Sequence, residues 1–191
     1  MNPKILLLVA AMSSLSLARA SAAAALGLDT AEWTKPSAEI VAQVEALEAA
    51  MAAMAKGETP AVTLQQAIDK IRELADQKND KDALFSMGFL AQQSQQQNAL
   101  AEAMNYYKRA ADLGQLQAMN NYGFILAGSS QEVEKTKEGL AFIKKAADGG
   151  LNAARRNMAA IYLNGLGGEE RNPDAARELL EKAASDGDGQ A

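Results

Sequence analysis

The side chains that most often perform chemistry are missing from this chain of 191 residues, because it contains neither histidine nor cysteine. Their absence excludes a Ser-His triad, a cysteine nucleophile, a disulfide framework and a zinc site of the usual ligands. Carboxylates remain, and two of them facing each other across a cleft could hydrolyse a glycosidic bond. The acids available for such a site fall mostly at positions expected to face solvent on helices, namely Glu138, Asp148, Asp174 and Glu178. We therefore predict no catalytic residue.

Two glycine-rich segments resemble ligand-binding loops only superficially. The segment Gly165-Leu166-Gly167-Gly168 is followed by no Lys-Ser/Thr pair and preceded by no strand, so it is not a phosphate-binding loop. The segment Asp186-Gly187-Asp188-Gly189 lacks the frame and the terminal Glu of a calcium loop. The formal net charge is −5 and no basic block is present, which argues against a nucleic-acid partner. We predict no cofactor and no metal site.

The beginning of the chain has the pattern of a secretory signal peptide. A short positive segment containing Lys4 precedes an apolar run at residues 5–12, and small-x-small sites for cleavage follow, after Ala20 or Ala22. The run is shorter than the roughly 20 residues of a membrane-spanning helix. We predict a signal peptide at residues 1–22, a flexible lead-in at 23–36, and a bacterial exported protein. The periplasm is favoured over secretion, and an uncleaved N-terminal anchor is the alternative.

Small residues recur at a regular interval through the second half of the chain. An Ala-Ala pair appears three times at steps of 36 and 37 residues, a Gly follows each pair, and another small residue precedes it by seven positions. A fixed interval of this length indicates stacked repeats. The landmarks are Ala110-Ala111, Ala146-Ala147 and Ala183-Ala184 for the pairs, Gly114, Gly150 and Gly187 after them, and Ala103, Gly139 and Ala176 before them.

Each unit is predicted to be a pair of antiparallel helices, because the chain has 41 Ala but only 17 Val, Ile and Thr. Residues 63–66 form a capping-box pattern, and Asn172-Pro173 places an N-cap before a proline. The glycines after the pairs suit the left-handed residue that ends a helix. Two helices approach closely only where side chains are small, so we expect Gly88 or Gly123, with the Ala-Ala pair, at that crossing.

This spacing resembles the Sel-one-like repeat (SLR) family, whose members are relatives of the tetratricopeptide repeats. The best copy runs from Ala154 to Gly187 and includes Met158, Tyr162, Gly165-Leu166-Gly167, Asp174, Ala176 and Lys182-Ala183-Ala184. The resemblance implies an all-α fold, an α-solenoid in which antiparallel helix pairs stack into a right-handed superhelix. Three clear repeats are expected at about 83–117, 118–153 and 154–191, and one degenerate N-terminal repeat at 37–82.

The resemblance also implies a protein or peptide partner. In related tetratricopeptide arrays the first helix of each unit lines the concave side. Carried over by offset, this gives the partner-binding candidates Phe85, Phe89, Gln92, Asn120, Phe124, Arg156 and Asn164. Asn and Arg would grip a peptide backbone or carboxylate, and Phe would anchor an apolar side chain. For Phe89 and Phe124 a place in the inter-repeat core is the alternative, and for Arg156 a solvated face.

The expected function is therefore a non-enzymatic protein-binding scaffold or adaptor of the bacterial cell envelope. One alternative is an envelope hydrolase that uses paired carboxylates, and another is a membrane-tethered regulator with an uncleaved N-terminus. Ala191 falls where a further unit would begin. The last helix pair, which contains Leu179 and Leu180, is expected to cover its open end by self-association or with a partner.

Overall fold

The computed structural model describes residues 36–94, 96–129 and 132–187, and every regular element in these ranges is an α-helix. The predicted signal peptide and almost all of the lead-in, residues 1–35, lie outside the described residues. None of the helices in the described ranges has the length and apolar character needed to cross a bilayer. The helices of these ranges are α1 (Ala38–Ala55), α2 (Leu64–Gln77), α3 (Lys81–Gln92), α4 (Ala99–Asp112), α5 (Leu116–Ser129), α6 (Val133–Asp148), α7 (Asn152–Asn164) and α8 (Pro173–Ser185).

The chain divides into two compact units, the first ending at Tyr106 and the second beginning at Tyr107, so the boundary along the sequence falls in α4. In the N-terminal unit α2 packs against both α1 and α3. The side chains of Ile40, Val44 and Leu47 follow one another at intervals of three or four residues on α1, and each is at most 1% exposed. Residues 37–82, which the repeat pattern predicts as a degenerate unit, therefore do contain a packed helix pair.

Helix ends in both units follow the predicted local signals. The Thr63 hydroxyl accepts from the Gln66 backbone N–H, and the Gln66 side chain accepts from the Thr63 backbone N–H, so the predicted capping box is confirmed. Asn172 accepts from the Ala175 backbone N–H at 3.0 Å with Pro173 at the first helical position, which confirms that prediction too. The glycines after the Ala-Ala pairs all have positive φ, with values of 85° at Gly114, 99° at Gly150 and 84° at Gly187.

The C-terminal unit consists of the end of α4 and of α5 to α8, each helix of the last four packing against the next. Helices α5 and α7 also contact each other directly. This order, in which hairpins of two helices follow one another and stack, is that of an α-solenoid. The fold class predicted from the repeat pattern is therefore confirmed.

Helices α5 and α6 cross where glycine faces glycine. A Cβ built on Gly123 would collide with the carbonyl oxygen of Gly139, and one built on Gly139 would lie 2.5 Å from the carbonyl oxygen of Gly123. The predicted close crossing at Gly123 is thus present, but its partner is the small residue that precedes the Ala-Ala pair. The last repeat has alanines at both equivalent positions, Ala159 and Ala176, and they are at most 1% exposed.

The two alanines of each Ala-Ala pair differ in how consistently they are buried. The first alanine of each pair is fully buried in all three copies. The second is buried at Ala111 and Ala147, but Ala184 is exposed. Self-association at this end stays a prediction.

The glycine crossing predicts that Gly123→Ala destabilises the protein. The added methyl group gains about 0.5–1 kcal/mol of helix propensity, but it must displace backbone, and such overpacking costs about 1–3 kcal/mol or more. We expect a net loss in the free energy of unfolding, measured by urea denaturation followed by circular dichroism.

Gly128→Ala is the matched control on the same helix. A Cβ on Gly128 meets nothing within 4 Å, so only the propensity gain remains, and we expect this variant to be as stable as the wild type or slightly more stable. Equal stability of Gly123→Ala and Gly128→Ala would contradict the crossing.

Candidate protein-binding face

Helices α5 and α7 are the first helices of the last two repeats, and they carry four of the seven predicted binding residues. The side chain of Gln115, which is 2% exposed, caps α5 by accepting a hydrogen bond from the Ala118 backbone N–H at 2.7 Å. Helix α7 begins just after the left-handed Gly150 and ends at Gly165, which has φ 63°. Left-handed glycines therefore flank α7, and α5 and α7 contact each other directly.

A row of amide side chains connects the two helices. Asn157 Nδ2 on α7 donates to Asn120 Oδ1 on α5 at 2.8 Å, and Asn120 Nδ2 donates to Asn121 Oδ1 at 3.2 Å. The Asn121 side chain also hydrogen-bonds the side chain of Tyr107, which is fully buried. Burial raises the pKa of Tyr107 to about 12, and the hydrogen bond with Asn121 opposes that increase. The row therefore ties α4, α5 and α7 together.

Asn120 is thus placed differently from its predicted role. It is 9% exposed, and both its oxygen and its nitrogen are engaged within the protein. Its contacts are those of a residue that joins repeats, and a role in binding a partner stays a prediction. Sequence reasoning missed Asn157, although an Asn recurs at the position equivalent to Asn121, one repeat interval away.

Phe124 is the most prominent apolar side chain of the face. It is 62% exposed, so the alternative placement in the core is wrong for this residue. It lies one helical turn after Asn120 on α5, and the equivalent residue of α7, Ala160, is also exposed. An exposed aromatic ring is a surface that a partner's side chain can cover.

The two candidates on α7, Arg156 and Asn164, differ in the exposure of their side chains. Arg156 is half-buried, so part of its stem packs against the protein. Asn164 is exposed, and its Nδ2 donates to the carbonyl oxygen of Ala160 within its own helix at 2.8 Å. Both stay predicted partner-binding residues.

The candidates of the N-terminal unit lie at three different depths on α3. Phe85 is 3% exposed and belongs to the core, so its ring offers no surface to a partner. Phe89 is half-buried, and Gln92 is exposed at the end of the helix. Sequence offset alone did not separate them, because α3 is buried along most of its length.

Charge is distributed unevenly between first and second helices of the C-terminal unit. Helix α5 contains no charged residue, and α7 contains Arg155 and Arg156 but no carboxylate. Arg155 forms an ion pair with Asp186 and donates to Asn152 Oδ1 at 2.8 Å, so its charge is already matched. The second helices α6 and α8 contain both signs. Neither α5 nor α7 therefore contributes a carboxylate of its own, in a protein of net charge −5.

Helix α5 also takes part in an aromatic contact, which does not involve the amide row. The rings of Tyr122 and Phe142 meet edge to face with centroids 5.1 Å apart, and Lys108 Nζ lies 5.7 Å from the Phe142 centroid. Lys108 also donates to Asp112 at 2.7 Å, which raises its pKa. These contacts join α4, α5 and α6 within the unit and account for Tyr122 being half-buried.

The carboxylates of the alternative hydrolase hypothesis lie where the sequence pattern predicts, since Glu138, Asp148, Asp174 and Glu178 are all exposed. Asp174 pairs with Arg177 at 2.8 Å and Glu178 with Lys182 at 3.3 Å, each one turn along α8. Within the described ranges no three acidic side chains come close enough together to hold a metal ion.

Consecutive hairpins that pack through small residues and expose the surface of their first helices define the class of α-solenoid repeat proteins. The chain belongs to the Sel1 repeat family, because the family model described as "Sel1 repeat" matches residues 81–115, 116–151 and 152–188. Sel1 repeats are in general protein-interaction modules. Each matched repeat begins two residues before the start predicted from the alanines, and residues 37–80 lie outside the match.

No curated protein matches this chain. Among solved structures, it is similar to the crystal structure of a Sel1 repeat protein from Oxalobacter formigenes, with 21% sequence identity over 75% of this chain and 70% of that chain and a TM-score of 0.37.

The amide row predicts energetic coupling between Asn120 and Asn157. Asn157→Ala leaves the buried amide of Asn120 without this partner, which costs about 1–3 kcal/mol, and Asn120→Ala leaves the half-buried amide of Asn157 unpaired at a smaller cost, whereas the double variant removes both groups. A double-mutant cycle on urea unfolding should therefore give a coupling energy of about 0.5–1.5 kcal/mol. Asn164→Ala, which removes only a bond within one exposed helix end, serves as the control and should cost less than about 0.5 kcal/mol. Strictly additive effects of the two central changes would contradict the row.

Proposed function

We propose that this protein is an exported adaptor of the bacterial cell envelope that holds a protein partner on the face of α5 and α7 and performs no chemistry. The single observation that carries the proposal is the exposure of Phe124 on a helix without charged residues, in a chain built from interaction modules. Covering a Phe side chain stabilises a complex by about 1.5–3 kcal/mol, so leaving it in water favours an occupant.

Export is supported by the sequence pattern of the first 22 residues. A positive start, an apolar run and small-x-small sites together favour cleavage after Ala20 or Ala22. The envelope is then the place where the adaptor meets its partner.

The binding face is tested by placing a photo-crosslinking benzoyl-phenylalanine at Phe124 and, separately, at Val133. Both side chains are strongly exposed, at 62% and 63%, but Val133 lies at the start of α6, outside the proposed face. After irradiation of intact cells that express the protein, we expect one discrete adduct from position 124, identified by mass spectrometry, and none from position 133. The same adducts from both positions, or none from position 124, would contradict the proposal.

The exported location is tested by N-terminal sequencing of the protein recovered from cells. Cleavage should leave Ser21 or Ala23 as the first residue, and the protein should be released with the periplasmic fraction. A retained Met1 in a membrane-bound protein would instead favour the tethered regulator.

A further inference from the structure

We propose that the protein forms a two-fold symmetric dimer in which a groove along α8 packs against the same groove of a second copy of this chain. None of the predicted partner-binding residues lies in this groove, so the inference goes beyond the proposed function. The groove, here called the α8 groove, has a volume of about 340 Å³. Its lining includes Leu163 at the end of α7 and, on α8, Ala176, Arg177, Leu180, Glu181 and Ala184.

The α8 groove exposes apolar side chains at positions that the earlier repeats bury. Leu180 stands at the repeat position of Ile143 and Tyr107, which are at most 1% exposed, whereas Leu180 itself is only half-buried. The exposed Ala184 follows the same rule, because the second alanine of both earlier pairs is buried. Leu163, at 41% exposed, adds to the same surface. Covering these side chains with another apolar surface is favourable, so the groove is suited to an occupant.

The charges that line the α8 groove are complementary to themselves, which selects a second copy as the occupant. Arg177 and Glu181 lie four residues apart, with Leu180 between them, and all three line the groove. In a two-fold interface, a contact from one residue to a second is repeated from the second to the first. Antiparallel packing of two α8 helices about an axis midway between these charges therefore places Arg177 of each copy beside Glu181 of the other.

The existing ion pairs of α8 leave this contact open. Among the described residues Glu181 has no cation within ion-pair distance. Arg177 donates to Asp174 at 2.8 Å, but the two side chains are 69% and 88% exposed, so this pair is weak and the guanidinium has further N–H groups for a second carboxylate. The remaining pair of the helix, Glu178 with Lys182, does not line the groove. A second copy thus supplies the cation that Glu181 lacks.

The size of the surface sets the strength of the association. Helix α8 has 13 residues and is about 20 Å long, so one pair of these helices buries less area than a standard protein interface. The dimer is therefore reversible, and its proportion depends on protein concentration.

The oligomeric state is measured by analytical ultracentrifugation of the protein recovered from the cells that produce it, over a range of micromolar concentrations. We expect the average mass to rise towards twice that of the protomer as the concentration increases. A protein that stays monomeric at every concentration, or that assembles beyond a dimer without a limit, would overturn the proposal.

Charge reversals then test which surface forms the dimer. Arg177→Glu and Glu181→Arg each place like charges together at both symmetric contacts, so each alone should raise the dissociation constant about tenfold or more. An equimolar mixture of the two variants should dimerise again, because their heterodimer has opposite charges at both contacts. Glu178→Lys reverses a charge on the same helix outside the groove and should change the dissociation constant by about twofold or less. Leu180→Ala should weaken the dimer about tenfold by removing apolar contact.

Circular dichroism of each variant shows that it is folded before its association is compared. Charge variants that dimerise as the wild type does would exclude the α8 groove as the interface. Equal weakening by Arg177→Glu and Glu178→Lys would show an effect of general charge and overturn the specific contact. Absence of dimers in the mixture of Arg177→Glu with Glu181→Arg would contradict the antiparallel two-fold arrangement.

Discussion

The contact on which the C-terminal unit depends is the approach of two helix backbones at Gly123 and Gly139. No side chain separates α5 from α6 at this point, so the hairpin closes to a distance that no larger residue permits. Helix α6 also packs against α7, and α5 and α7 contact each other directly. The same constraint recurs with alanine in the last repeat, where Ala159 and Ala176 are buried. Repetition of one small-residue contact thus generates a stack of hairpins rather than a bundle around one centre.

Once the hairpin spacing is set, polar side chains decide how one repeat registers on the next. Apolar contacts are tolerant of small sliding movements, but a buried amide is stable only when its partner lies within hydrogen-bond distance. The bond from Asn157 to Asn120 meets that condition between α7 and α5, and the Asn121 bond to Tyr107 extends it to α4. The amide row therefore contributes specificity of register, while the glycine and alanine contacts provide the close packing.

The architecture was predictable because its signals are local and recur. The capping box at Thr63, the proline start at Asn172 and the left-handed Gly150 each depend on a few neighbouring residues, and all are found as predicted. The candidate site was less predictable, because exposure depends on which helix packs alongside. Phe85 and Asn120 occupy equivalent repeat positions, yet one fills the core and the other joins two repeats.

The placement of Phe124 was hard to predict, because its two interpretations, a core residue and a partner-binding residue, differ only in burial. The repeat spacing is compatible with Phe124 in the inter-repeat core or on the surface, and the structure leaves it 62% exposed. The equivalent residue of α7, Ala160, is exposed as well. Burial of this position depends on how the helices pack, which the spacing of small residues does not encode.

In a repeat fold the residues that stabilise the stack differ from the residues that are exposed to a partner. The small residues at the helix crossings and the buried amides hold the hairpins together, whereas Phe124 and Ala160 contribute little to that packing. Their side chains can differ between repeats without loss of the fold, just as the equivalent positions here already differ in size. Membership of the Sel1 repeat family consequently accounts for the stack of hairpins. The chemistry of a partner must instead be inferred from side chains that this packing leaves exposed, such as Phe124 on α5.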